Sequence, residues 1–332
     1  MIRLHANENP YERRLEDLAA AIGGLRLNEY PDEEALELRQ AVSAYTGWPL
    51  KGIVCGNGSD ELIKMCVEAF VLPGEKVLSH GPTFVEYRVM AEIRRAVYIE
   101  TLPDEALNLN QAAFMARLEE EQPSLVFLCN PNNPTGENLT ASFIEKVIEE
   151  APGMVVLDEA YTEFGLATFM DQLPKYQDKL ILLRTLSKAF GLAALRVGYA
   201  LTSESNAAAL NRVRMPYNVT AVSQALGAFA LKNPSIMEAQ VALIRAERDR
   251  VFSVLHQIRG MEPLVSETNF ILIRTKPEWV SQIQSAFESR GFCLRFFGEQ
   301  GGLGAYFRIT IGKPENNDAV LSILKEVMAS CV

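Results

Sequence analysis

The stretch Thr185-Leu186-Ser187-Lys188-Ala189-Phe190-Gly191-Leu192-Ala193-Ala194-Leu195-Arg196 sets a lysine among small and apolar residues, with a hydroxyl beside it and an arginine eight places on. The run before it, Leu180-Ile181-Leu182-Leu183-Arg184, has the length and continuous apolarity of a buried strand. Lys188 therefore emerges where a sheet ends, in a crevice rather than on a solvated face. Two readings follow. Burial disfavours the charged form of an amine, so Lys188 can be a nucleophile of the Schiff-base kind. Alternatively its stem covers apolar surface while the ammonium reaches water.

Working outward, strand-like and helix-like segments alternate. Val77 to Ser79, Val97 to Thr101, Leu125 to Cys129, Val155 to Leu157, Leu180 to Leu183 and Val197 to Leu201 read as strands. Helices are predicted over Phe84 to Arg95, Gln111 to Glu121 and Ala141 to Glu150, which makes the fold class α/β, a mostly parallel sheet covered on both faces. Chemistry in such sheets gathers at the carboxyl ends of the strands. Upstream, a helix over Glu12 to Ala21 separates the polar islands Asn7-Glu8-Asn9-Pro10 and Asn28-Glu29-Tyr30-Pro31-Asp32, and a second helix runs from Glu33 to Thr46. In Gly56-Asn57-Gly58-Ser59-Asp60-Glu61-Leu62 a short strand turns into a helix that Ser59 or Asp60 can cap, which is either a plain capped helix or an anion site. From Ser235 a long amphipathic helix reaches about Ile258, with Arg245, Glu247, Arg248, Asp249 and Arg250 on a solvated face. Beyond it lies a smaller α+β unit. The expected division is residues 1–29 with the small unit, 30–234 as the large domain and 235–332 as the small one.

Composition narrows the function. With 48% hydrophobic and 22% charged residues, this is an ordinary globular chain. A net charge of −10 argues against nonspecific nucleic-acid binding. The apolar runs are strand-sized, so no membrane span is expected. No signal-peptide h-region precedes Leu4, which leads to the expectation of a cytoplasmic protein. Five cysteines without paired spacing and three scattered histidines give no metal site.

The strand ends carry the candidates. Asn133 follows the third of these strands in Asn130-Pro131-Asn132-Asn133-Pro134-Thr135-Gly136, a loop stiffened by two prolines. Asp158 ends the next strand, with Tyr161 three residues later, and a carboxylate there needs a cationic partner. Ser187, Lys188 and Arg196 follow. Arg295 and Arg308 lie in the last two strands, where the plainest reading of each is an exposed ion pair. Pyridoxal phosphate uses an amine, a carboxylate for its ring nitrogen, donors to its phenolic oxygen and a dianion site, and these residue types fit that set.

With these motifs the chain resembles the fold-type I pyridoxal-phosphate enzymes, and within them the histidinol-phosphate aminotransferases. The likeness runs through Ala6-Asn7-Glu8-Asn9-Pro10, Tyr30-Pro31, Gly58-Ser59-Asp60-Glu61, Gly81-Pro82-Thr83-Phe84, the 130–136 loop, Asp158-Glu159-Ala160-Tyr161, residues 184–192, Ser266-Glu267-Thr268-Asn269-Phe270 and residues 307–312. The resemblance implies that Lys188 is the catalytic lysine bound to pyridoxal 5'-phosphate and the proton carrier. It implies that Asp158 pairs with the ring nitrogen, that Asn133 and Tyr161 bond the ring oxygen, and that Phe84 stacks on the ring. Ser187, Arg196, Gly58, Ser59 and Asp60 would hold the phosphate, and Tyr30 would reach the site of a neighbouring subunit in a homodimer. Asn9, Arg295 and Arg308 would bind substrate. The implied reaction joins histidinol phosphate and 2-oxoglutarate; the alternatives are an aromatic amino acid aminotransferase and a lyase such as threonine-phosphate decarboxylase. Relatives usually carry an N-terminal arm before the position of Leu4 that covers the site, so the expectation is that this lid is either lacking here or replaced otherwise.

Overall fold

The computed structural model describes residues 1–330 apart from 14, 166, 167 and 299. In chain order the elements are β1 (Ile2–Arg3), α1 (Leu15–Ile22), α2 (Leu36–Thr46), β2 (Ile53–Asn57), α3 (Gly58–Phe70), β3 (Lys76–His80), α4 (Glu86–Ile93), β4 (Val97–Thr101), α5 (Gln111–Glu121), β5 (Leu125–Cys129), α6 (Ala141–Glu150) and β6 (Met154–Asp158). They continue with α7 (Leu173–Tyr176), β7 (Leu180–Thr185), β8 (Val197–Leu201), α8 (Glu204–Val213), α9 (Ala221–Lys232), α10 (Ser235–Leu255), β9 (Glu262–Pro263), β10 (Phe270–Arg274), α11 (Pro277–Ser289), β11 (Phe292–Cys293), β12 (Arg295–Phe296), β13 (Tyr306–Thr310) and α12 (Pro314–Ser330).

The large sheet has the order β2-β8-β7-β6-β5-β3-β4. Pairings among β4, β3, β5, β6 and β7 are parallel, while β8 is antiparallel to both β7 and β2. The reversal has a local cause. Residues 186–196 contain no crossover helix, so the chain re-enters the sheet at the end from which it left. Successive residues of the central strands feed opposite cores. Val126, Leu128, Val155, Leu157, Leu180 and Leu182 pack on one face; Phe127, Val156, Ile181 and Leu183 pack on the other, against Leu62, Val67 and Tyr87. Burial on both faces explains why these strands read as unbroken apolar runs. Each such side chain contributes roughly 1.5–3 kcal/mol.

Helix starts follow local chemistry. Asn110 Oδ1 accepts from Ala113 N at 3.0 Å to open α5, and Thr220 Oγ1 accepts from Ser223 N at 3.1 Å to open α9. The helix expected from Glu33 begins at Leu36, because Asp32 Oδ2 takes the Leu36 amide at 2.7 Å and Ala35 is left-handed at φ 46°. The expected solvated face of α10 is corrected at two positions. Glu247 and Arg248 are buried; Arg248 donates to the Thr268 carbonyl at 3.1 Å, and Asn317 donates to Glu247 at 2.9 Å.

The second sheet is antiparallel, in the order β12-β13-β10-β9. β1 pairs in parallel with β11, and the Thr310 amide donates to the Leu4 carbonyl at 2.9 Å. The N-terminal segment is thereby stitched to the second sheet and carries His5, Ala6 and Asn7 to the carboxyl ends of the first. Among the described residues no helix is long and apolar enough to cross a membrane.

Candidate active site

A cavity of about 690 Å³ lies where β3, β5, β6 and β7 end, closed on its far side by β12, β13 and residues 5–7. Its floor is Asp158, the last residue of β6, only 3% exposed. Oδ2 accepts from the Tyr87 hydroxyl at 2.7 Å and Oδ1 from the Ala160 amide at 3.0 Å. Burial pushes the carboxyl up to about 6, and these two bonds oppose the rise. Among the described residues Asp158 has no ion-pair partner. The next residue points the other way along the strand. Glu159 is fully buried and takes Arg184 Nε at 3.0 Å, Arg184 Nη2 at 2.8 Å and the Phe169 amide at 2.6 Å. That pair ties β6 to β7 beneath the cavity.

Lys188 enters from the loop after β7. Its Nζ donates to the Ala6 carbonyl at 3.2 Å and lies 5.8 Å from the Tyr161 ring centroid. Burial first, then the charge of Arg308, lower its pKa to about 8, while Asp60 pulls in the other direction.

Beside it is an anion corner. Arg196 pairs with Asp60 at 2.8 Å and donates to Ser187 Oγ at 3.4 Å. Gly58 sits at φ +80°, and a Cβ there would fall 2.5 Å from Arg196 Nη2, so Gly58 makes room for the guanidinium without itself lining the cavity. The expected capping by Ser59 or Asp60 is corrected. Both lie inside the first turn of α3, the boundary residue is Asn57 without a side-chain cap, and Glu61 Oε2 takes the Asn57 amide at 2.5 Å. The first-turn amides of α3 are left directed at the corner.

The far wall holds Arg308, 7% exposed rather than in the exposed ion pair expected of it. It donates to the His5 carbonyl at 2.7 Å and makes a short bond to Asn133 Oδ1, while its Nε is buried without a partner. Burial lowers its pKa to about 10. Arg295 is exposed at the rim, directly opposite Arg308 in the β12–β13 register, and neither forms a salt bridge among the described residues. Asn133, with Oδ1 taken, keeps its Nδ2 as a donor. The Tyr161 hydroxyl accepts from Asn7 Nδ2 at 2.9 Å, and burial pushes its pKa up. Phe84 lines the wall, its ring 5.7 Å from that of Tyr87.

Two expected residues lie elsewhere. Asn9 does not reach the cavity, which corrects its assignment to substrate; its Nδ2 donates to the Ala189 carbonyl at 3.0 Å and to Gln240 at 3.1 Å. Asn7 takes the inward position because its φ of 56° turns the chain there. Tyr30 is 82% exposed and stacks on Tyr217 at 4.7 Å, away from this chain's cavity. Tyr87 and Asn7 were not singled out from the sequence. Tyr87 stands three residues after Phe84, one helical turn away, and that spacing is the signal that could have found it.

An amine of lowered proton affinity in one cavity with a buried, unpaired acid is the equipment of an enzyme, and the comparisons say of which kind. The family model described as aminotransferase class I and II matches residues 1–324, and the chain belongs to that family. Among its relatives, the histidinol-phosphate aminotransferase of Thermoanaerobacter pseudethanolicus is 38% identical over 329 residues, covering 98% of this chain and 93% of that one. The histidinol-phosphate aminotransferase of Chromobacterium violaceum is 38% identical over 328 residues, covering 98% and 91%. The crystal structure of histidinol-phosphate aminotransferase from Sinorhizobium meliloti in complex with pyridoxal-5'-phosphate superposes with a TM-score of 0.90 at 25% identity, covering 100% of this chain and 92% of that one.

Proposed function

We propose that this chain is a pyridoxal-phosphate-dependent aminotransferase exchanging an amino group between histidinol phosphate and 2-oxoglutarate, as a step of histidine biosynthesis. The observation that carries the reading is Asp158, a buried carboxylate without a cation, in one cavity with Lys188 and the facing arginines. The residues fit the cofactor. A protonated ring nitrogen would supply the charge that Asp158 lacks, and the corner of Ser187, Arg196 and the first turn of α3 suits a dianion.

When bound, the cofactor supplies an aldehyde that condenses with amines and a pyridine ring that withdraws the electron pair left at the donor carbon. Lys188 holds that aldehyde through Nζ. As a neutral amine, Lys188 would carry the proton between Cα of the donor and the cofactor's C4′. A pKa near 8 leaves a useful fraction of this amine unprotonated at mildly alkaline pH. Asp158 would keep the ring nitrogen protonated. Tyr161 accepts from Asn7 and so retains its own proton to donate to the ring oxygen, beside Asn133 Nδ2. Phe84, on the cavity wall, would cover one face of the ring and exclude water. Arg308 and Arg295 take the anionic group of each substrate.

The same reading makes the enzyme a cytoplasmic homodimer in which Tyr30 of each copy reaches the phosphate corner of the other. It divides each copy into a large unit, 30–234, and a small one formed by 235–332 with 1–29. The test is a panel of half-reactions: holoenzyme mixed separately with histidinol phosphate, glutamate, phenylalanine and threonine phosphate while its visible absorbance is followed. The reading expects conversion by histidinol phosphate and glutamate. Conversion by phenylalanine alone, or release of carbon dioxide from threonine phosphate without a 2-oxo acid, would overturn the substrate.

A further inference from the structure

One wall of the cavity has no role in the chemistry above. The edge strand β4 brings Tyr98 and Glu100 to the lining, and α4 brings Arg88. Glu100 Oε2 accepts from Arg88 Nη2 at 2.9 Å and stands 3.4 Å from the Tyr98 hydroxyl, and the Arg88 guanidinium lies 5.1 Å from the Tyr98 ring centroid. The carboxylate is thus fixed through one oxygen. Its other oxygen lies over Gly81: a Cβ there would fall 2.4 Å from Oε1 and 2.7 Å from Cγ and Cδ. The acid thus lies against the loop that carries Phe84, over a residue with no side chain. Among the described residues no donor meets Oε1, and the Glu100 side chain is 24% exposed. The cavity therefore has an acid held ready on the large sheet and two guanidiniums, Arg295 and Arg308, on the small one.

The geometry points to Glu100 as a specificity-determining residue that accepts a hydrogen bond from the ring N–H of the amino donor. The ligand class is an amine with an anionic group at one end and an N–H-bearing heteroaromatic ring at the other. Such a molecule satisfies both walls at once. A hydrocarbon ring leaves Oε1 unpaired. Glutamate, being shorter, takes its anions to the arginines. This assignment rests on the donor proposed above and names the residue that selects it.

The experiment compares wild-type holoenzyme with Glu100→Ala and Glu100→Gln in two readouts. One is the ratio of kcat/KM for histidinol phosphate to that for glutamate. The other is calorimetric binding of histidinol phosphate to the aminated holoenzyme, which cannot react with a second amine. Loss of a hydrogen bond to a charged group predicts that Glu100→Ala lowers the ratio about tenfold or more and weakens binding by a similar factor. Glu100→Gln, which keeps an acceptor oxygen and the shape over Gly81, loses less. Equal losses for both donors would mean that Glu100 only props the Phe84 loop, and unchanged binding would mean that it contacts nothing; either result overturns the assignment. Wild-type enzyme that does not turn over histidinol phosphate overturns the proposed function and this assignment with it, and does so before any variant is made.

Discussion

The Tyr87 hydroxyl donates to Asp158 Oδ2 across 2.7 Å, and both groups are buried beneath the cavity. The bond favours the ionised carboxylate, against the desolvation that lifts its pKa to about 6. Folded Asp158 therefore binds protons more tightly than the unfolded chain, whose carboxyl titrates near the ordinary value of 3.8. By linkage, the stability of the cofactor-free protein falls as pH rises from about 4 through 6, by an amount on the order of 3 kcal/mol from this group. Asp158→Asn should flatten that part of the curve and raise Tm at pH 7–8. Tyr87→Phe should act in the opposite sense, pushing the carboxyl higher and steepening the decline. Thermal melts of the cofactor-free protein between pH 4 and 8 test both. A Tm at pH 7–8 that Asp158→Asn lowers would contradict the assignment of burial as the dominant cause.

Gly58 serves the anion corner by what it lacks. Alanine there meets Arg196 Nη2 at 2.5 Å and adds the cost of φ +80°, of order 1 kcal/mol. Gly58→Ala should weaken cofactor binding by about tenfold through the displaced Arg196, together with a loss of stability of order 1 kcal/mol from the strained backbone. Fluorescence titration of the cofactor-free variant with pyridoxal phosphate measures it.

Glu159 and Arg184 form a buried pair at 2.8 Å that joins the strand ends carrying Asp158 and Lys188. Removing one partner strands the other charge in the core. Glu159→Ala should cost about 3–5 kcal/mol, where truncation of an exposed helix-surface pair such as Arg117–Glu120 costs under about 1 kcal/mol. Denaturant midpoints of the two variants give the comparison.

The sheet and the strand-end residues were legible because their signals are local: apolar runs of strand length, each closed by a loop with Asn133, Asp158 or Lys188. The direction of β8 was open to the same kind of reading, since the segment from 186 to 196 is too short for a crossover helix. Contacts between distant residues were not. Tyr87 meets Asp158 across 71 positions, and Asn7 meets Tyr161 across 154; no periodicity records either. Asn7 and Asn9 are chemically the same side chain, and only a backbone turn at Asn7 decides which one enters the cavity. The helices α8 and α9 did not register either. α9 buries Leu226 and Leu231 beside the small Ser223, Gly227, Ala228 and Ala230, and its apolar residues are spread around the helix rather than gathered in one stripe. Arg248 looked solvated because an arginine buried against the Thr268 carbonyl has the same sequence signature as one in water.

The central claim is that Lys188 is the residue that holds the cofactor. In the cofactor-free protein its pKa of about 8 makes about half of it neutral at pH 8, ready to condense with the aldehyde, where a lysine of ordinary pKa is neutral to less than about one per cent. Purified holoenzyme reduced with borohydride at pH 8, digested and mapped by mass spectrometry tests the claim directly. The expected result is a single pyridoxyl-phosphate adduct on the peptide containing Lys188, with none formed and transamination abolished in Lys188→Ala. An adduct on another lysine, or transamination surviving in Lys188→Ala, would contradict the account.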